Sequence, residues 1–125
     1  MSSQLARVLA RKVYGLTSNE EFARDFGLRG QIQKAAGSSM HNIAEGFDSG
    51  SNTEFTRFLR YAERSCTEMQ SELYLALDLE YISMPQFQDA YDHARDTRAA
   101  IRGFIKYLSS SGKKEKPRTS DNSEF

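Results

Sequence analysis

The residues of this 125-residue chain best equipped for chemistry are three rows of basic side chains and one polar stripe. Arg57, Arg60 and Arg64 recur at intervals of three and four, which places them on one face of a helix. Arg95, Arg98, Arg102 and Lys106 do the same further along, and Arg7, Arg11 and Lys12 cluster near the start. A guanidinium offers a planar fork of donors that matches phosphate or carboxylate oxygens. Like charges four apart, such as Arg60–Arg64 and Arg98–Arg102, destabilise an isolated helix by roughly a few tenths of a kcal/mol. Phosphates or acidic neighbours must compensate them. Arg57, Arg60, Arg64, Arg98 and Arg102 are therefore the candidate contacts to nucleic acid or to a partner.

The polar stripe runs beside two core faces. Ile32, Ala35, Ala36, Ser39 and Ile43 form one apolar face, flanked by Ser38, Asn42 and Glu45. Phe55, Phe58, Leu59, Ala62, Cys66, Met69 and Leu73 form the next, flanked by Ser65, Glu68 and Glu72. Two such helices can share a polar seam of Ser38, Asn42, Glu45, Ser65, Glu68 and Glu72 that fixes their register. A buried carboxylate costs several kcal/mol unless it is paired, so an arginine or hydroxyl must answer each one.

Catalysis finds less support. A di-iron bundle needs inward glutamates and a Glu-x-x-His on each of two helices. Neither His41 nor His93 has a glutamate three residues before it. His41 and Glu45, four apart, can pair on one face. No His-Glu-x-x-His, paired Cys-x-x-Cys or glycine-rich phosphate loop occurs. Ser65-Cys66 has no general base nearby in sequence. The single cysteine excludes an internal disulfide and falls on a core face, where it reads as a small buried hydrophobe. We expect no enzyme, no metal and no cofactor.

The elements that carry these residues are helices. Leu5, Val8, Leu9, Val13 and Leu16 mark a first helix over about Ser3–Tyr14. Thr17-Ser18-Asn19-Glu20 has the pattern of a capping box, so a second helix starts near Ser18. Gly27 and Gly30 each cost about 1 kcal/mol relative to alanine in a helix interior, which predicts a bend or break at Gly27-Leu28. That helix resumes to Glu45, with Gly46 expected to close it in the left-handed conformation. Ser51-Asn52-Thr53-Glu54 starts a third helix reaching about Glu80. Its last third alternates leucine with other residues, a strand period, but Leu, Ala and Glu favour helix and no partner strand exists. The segment reads as a helix apolar nearly all round and buried on more than one side. Its surplus face, Tyr74, Leu75 and Leu79, is the expected oligomer interface. Ser83-Met84-Pro85-Gln86 opens a fourth helix, with proline in the first turn, running to about Leu108. Residues 109–125 are polar and lysine-rich, a composition that cannot offset the entropy of ordering.

The chain is one domain by length. Lys+Arg and Asp+Glu both number 17, giving zero net charge. That argues against nonspecific nucleic-acid binding, although charge is unevenly spread: residues 48–82 hold three basic and seven acidic groups. Met1–Gln4 lacks the start of a signal peptide, and no run of about 18 apolar residues is present. A soluble cytoplasmic protein is expected.

The chain resembles the four-helix-bundle family of 23S rRNA-intervening sequence proteins, and beyond it the accessory variability-determinant proteins of diversity-generating retroelements. The resemblance rests on Gln31, Ala35-Ala36, Ser38, Asn42-Ile43-Ala44-Glu45-Gly46, Glu54-Phe55, Phe58-Leu59, Ala62, Ser65, Glu68, Leu77 and Tyr81-Ile82, and spans about residues 5–108. Asp48-Ser49-Gly50 and Gln33-Lys34 stand where the family usually carries basic residues. The resemblance implies an up-down-up-down bundle, often a ring-like homo-pentamer, without assigned enzymatic activity. For the retroelement proteins it implies binding to nucleic acid and to a reverse transcriptase. The expectation is an all-α antiparallel four-helix bundle over 1–108 with a disordered C-terminal tail over 109–125. Its expected role is a non-enzymatic accessory protein for RNA or an RNA-handling enzyme. The alternative is a protein-interaction scaffold with no nucleic-acid affinity.

Overall fold

Over residues 2–110, which the computed structural model describes, every element of secondary structure is a helix. They are α1 (Ser2–Leu16), α2 (Glu20–Arg24), α3 (Phe26–Phe47), α4 (Asn52–Asp78) and α5 (Met84–Ser110). The expected tail lies outside the described residues, except that Ser109 and Ser110 continue α5. At 1.5 Å per residue, α4 and α5 are each about 40 Å long.

Four long helices form an up-down-up-down bundle. α1 packs on α3 and α5, and α4 packs on the same two, so α1 and α4 lie diagonally opposite. Cross-helix bonds fix the directions. Lys12 meets Asp89 while Leu5 meets His93, so α1 and α5 are antiparallel. Ser38 meets Ser65 while Gly46 meets Phe55, so α3 and α4 are too. The interior is continuous, from Ala6, Leu9 and Val13 through Ile32, Leu59, Met69 and Leu73 to Ala94 and Ile101. At one end Phe55 contacts Phe47 and Phe104 with ring centroids 5.1 and 5.2 Å apart. At the other, Phe22 of α2 is fully buried beside Tyr81.

Helix boundaries depart from expectation at several places, each with an identifiable cause. The break after α2 falls at Asp25, not Gly27-Leu28. Asp25 leaves helical geometry and its Oδ1 accepts the Leu28 N–H at 3.0 Å, capping α3. The Thr17 box does not form: Thr17 donates to the Tyr14 carbonyl and accepts from Gln33 Nε2. Asn19 is the N-cap of α2, with its amide turned to the Tyr81 carbonyl. Ser51 does cap α4, accepting from the Glu54 N–H. The reciprocal box is instead at α5, where Ser83 Oγ accepts from Gln86 N–H and Gln86 Oε1 from Ser83 N–H.

Gly46 does not close its helix in the left-handed region; no described glycine has positive φ. It is needed for proximity: a Cβ there would lie 2.8 Å from the Phe55 ring. The left-handed residue is Glu80, with φ 63°. The N–H groups of Glu80 and Tyr81 return to the carbonyls of Leu77 and Ala76, ending α4 in a Schellman motif.

Candidate functional site

The polar seam forms at its centre. Ser65 Oγ lies 3.0 Å from Ser38 Oγ and 3.1 Å from the Tyr61 carbonyl. Asn42 Nδ2 donates to the Ser38 carbonyl and hydroxyl at 2.9 and 3.0 Å. Ser38, Asn42 and Ser65 thus pin α3 against α4. The three glutamates do not join them. Glu45 turns toward His41, 3.9 Å away, and lines a cleft between α1 and α3 with Arg7, Met40 and Phe47. Glu68 is exposed. Glu72 is half-buried, and its Oε1, shut off from solvent, has no hydrogen-bond partner. It lines a cleft of about 480 Å3 with Gln31, Glu68, Ser71, Tyr74, Leu75 and Asp78, which offers no basic residue. Burial, and then the negative charge of Glu68, push the Glu72 carboxyl up to about 7.

The arginines differ in how far their own subunit engages them. Arg57 bonds Glu54 Oε1 at 2.6 Å and the Tyr61 hydroxyl at 3.0 Å. Arg102 pairs with Glu63, and Arg98 donates to Thr67 Oγ1 at 3.2 Å. Arg64 lies over the Tyr61 ring at 5.1 Å. Arg60 is exposed and has no partner among the described residues. Phe58, expected in the core, is only half-buried; it packs edge-on to Tyr61 and carries Arg57 over its face.

Antiparallel pairing of α4 with α5 sorts these charges along the bundle. Residues 52–67 and 95–110 lie at one end and carry seven basic against three acidic side chains. Residues 68–92, at the other end, carry six acidic side chains and no Lys or Arg. The segment tally by sequence blurred this, because it added both halves of α4 together. Knowing that the two helices form a hairpin would have revealed it.

Tyr74, Leu75 and Leu79 are 50, 47 and 45% exposed. Tyr74 is partly committed within the subunit, packing on Phe87 and Tyr91 of α5. Leu75 and Leu79 point outward, at the rims of two clefts. Sequence periodicity did not single out Tyr14 or Phe26, which are 52 and 71% exposed. Phe26 is off the Phe22–Leu28–Ile32 core period, the signal that could have found it; Arg29 stacks over its ring at 4.9 Å.

Catalytic groups do not converge. Among the described residues no cluster of His, Cys, Asp or Glu could hold a metal ion. Burial pushes the Cys66 thiol up to about 12, so it stays protonated at neutral pH. His93 lies 3.0 Å from the Leu5 carbonyl, which as an acceptor fixes Nε2 as the protonated nitrogen. No helix of the described residues is long and apolar enough to cross a membrane.

A family model described as 23S rRNA-intervening sequence protein matches residues 2–103. The chain belongs to this family. Within its fold, a Bacteroides thetaiotaomicron protein of unknown function from the S23 ribosomal protein family shares the architecture with a TM-score of 0.78. The two are 22% identical over 85% of this chain and 99% of that one, a likeness that concerns the fold. No match is found among curated proteins.

Proposed function

We propose that this 23S rRNA-intervening sequence protein is a non-enzymatic, cytoplasmic accessory protein. It assembles with copies of itself and holds RNA phosphates on the basic half of the α4–α5 hairpin. The observation that carries this is the excess of seven basic over three acidic side chains there, with Arg60 unpaired among the described residues. The pair Arg57–Glu54 is about half solvent-exposed on both sides. Exposed ion pairs contribute about 0–1 kcal/mol, so this guanidinium can exchange a carboxylate for a phosphate at little cost. Arg57, Phe58, Tyr61 and Arg64 also present stacked rings and cations, a surface suited to unpaired bases. The family name refers to 23S rRNA, which supports RNA as the polyanion. Self-association is supported by the exposure of Leu75 and Leu79.

The second reading is a protein-interaction scaffold without nucleic-acid affinity. It is favoured by the carboxylate partners that Arg57 and Arg102 already have. Binding to structured and single-stranded RNA, measured at low and moderate salt, separates the two. RNA contacts predict affinity falling with salt, by a log–log slope of about 0.7–0.9 per phosphate neutralised. The R57A/R60A/R64A variant should flatten that slope. No binding at low salt would leave the scaffold reading. For assembly, Leu75→Glu should lower the mass in solution with helicity intact.

A further inference from the structure

Two faces on opposite sides of the subunit carry opposite chemistry at the same spacing. Arg7, Arg11 and Tyr14 of α1 follow one another at four and three residues, all exposed. Neither arginine has a partner among the described residues, and α1 contains no Asp or Glu. Glu68, Glu72 and Leu75 of α4 follow at the same four and three, with Leu79 four further on. That segment has no basic residue, and its cleft holds the unpartnered Glu72 oxygen.

The geometry points to a second copy of this chain as the occupant of the acidic, apolar α4 face: α1 of one copy lies parallel along α4 of the next, Arg7 against Glu68, Arg11 against Glu72, and Tyr14 against Leu75. This rests on the self-association reading above and names the two surfaces that meet. Two observations support it. The charges are complementary, which steers and registers association. The directions agree, since α1 and α4 are both antiparallel to α5.

Such a contact joins two different faces of the same chain. It closes into a ring when the rotation divides a full turn, and otherwise extends without end. It also gives the Glu72 carboxylate a cation. A carboxylate with one oxygen withdrawn from water and unpaired is costly in the isolated subunit, and Arg11 of the neighbouring copy meets it from the cleft side. Tyr14 brings an aromatic ring to the leucine rim of the same cleft.

The test is the mass in solution of the full chain by light scattering, with helicity followed by circular dichroism. Arg7→Glu with Arg11→Glu alters only exposed side chains and should reduce the mass to the single-chain 14.2 kDa at unchanged helicity. Adding Glu68→Arg and Glu72→Arg to that chain swaps every charge pair and should restore the parent mass. An oligomeric parent whose mass survives the α1 double substitution overturns this pairing and leaves self-association standing. A double variant that dissociates but is not rescued by the swap, while remaining helical, overturns it too. A parent that is monomeric at all concentrations overturns the self-association reading itself.

Discussion

The Tyr81 hydroxyl donates a 2.9 Å hydrogen bond to Oδ2 of Asp25, tying the α4–α5 link to the first turn of α3. Asn19 reinforces the tie through the Tyr81 carbonyl, and Phe22 packs beneath the Tyr81 ring. The two connections at this end therefore hold each other.

Asp25 accepts from the Leu28 N–H and from Tyr81, which together hold its carboxyl below the ordinary range. A depressed carboxylate contributes stability that is present above its unfolded value of about 3.9 and lost as pH falls through the folded value. Tyr81→Phe should lower the melting temperature at pH 7. The gap from the parent should close as the pH is taken below 3.9. Melting curves at pH 7 and at pH 2–3 check this, and an equal gap at both would show that the bond to the ionised carboxylate is not what matters.

Glu72 has the opposite sign. Its folded value, about 7, stands above the unfolded one near 4.5. Its ionisation therefore costs nothing below 4.5 and weighs increasingly on the fold as pH rises through 7. Glu72→Gln removes that charge, and should raise the melting temperature at pH 8 but not at pH 4. This concerns the dissociated subunit, so the melts belong in the Arg7→Glu, Arg11→Glu background. Glu68, whose charge adds to the effect, should produce a smaller change in the same direction when replaced by glutamine.

Glu80 occupies the left-handed region, where an L side chain costs about 1–2 kcal/mol. Glu80→Gly keeps the Schellman closure and removes the strain. It should stabilise the protein by about 0.5–1 kcal/mol, the loss of chain entropy offsetting part of the gain. Urea denaturation measures it; a destabilised variant would mean that the Glu80 side chain has a role at this turn beyond the backbone.

Gly46→Ala should do the reverse. The added methyl meets the Phe55 ring, which Phe47 and Phe104 hold from other sides. Overpacking of this kind costs about 1–3 kcal/mol. Combining it with Phe55→Leu should recover part of the loss, and a double-mutant cycle reads the coupling.

Helix identity was legible because apolar residues recur at three and four along every long segment, and Ser51 announced its helix with a side chain free to cap it. Thr17 misled because a distant competitor, Gln33, takes its hydroxyl oxygen, which adjacent residues cannot reveal. Asp25 caps locally, three residues before Leu28, a signal that Gly27 and Gly30 overshadowed. Gly46 was recognisable as special, but the cause was a ring from another helix. Of the polar stripe, Ser38, Asn42 and Ser65 pair as their spacing suggests. Glu72 lacks a partner because Gln31, not a cation, lines the cleft with it. The arginine rows could be placed on faces, but which carboxylates answered them depended on the crossing of α4 with α5.

The sorting of charge along the hairpin changes what zero net charge means. The middles of the two halves of α4 are about 20 Å apart. Ionic atmosphere fades within about 8 Å at physiological salt. A large partner approaching either end feels that end alone, and the cancellation in the total is invisible to it. The molecule is electrically a rod with two poles. The field of a polyanion would turn the subunit with its α3–α4 loop end foremost and its acidic pole averted.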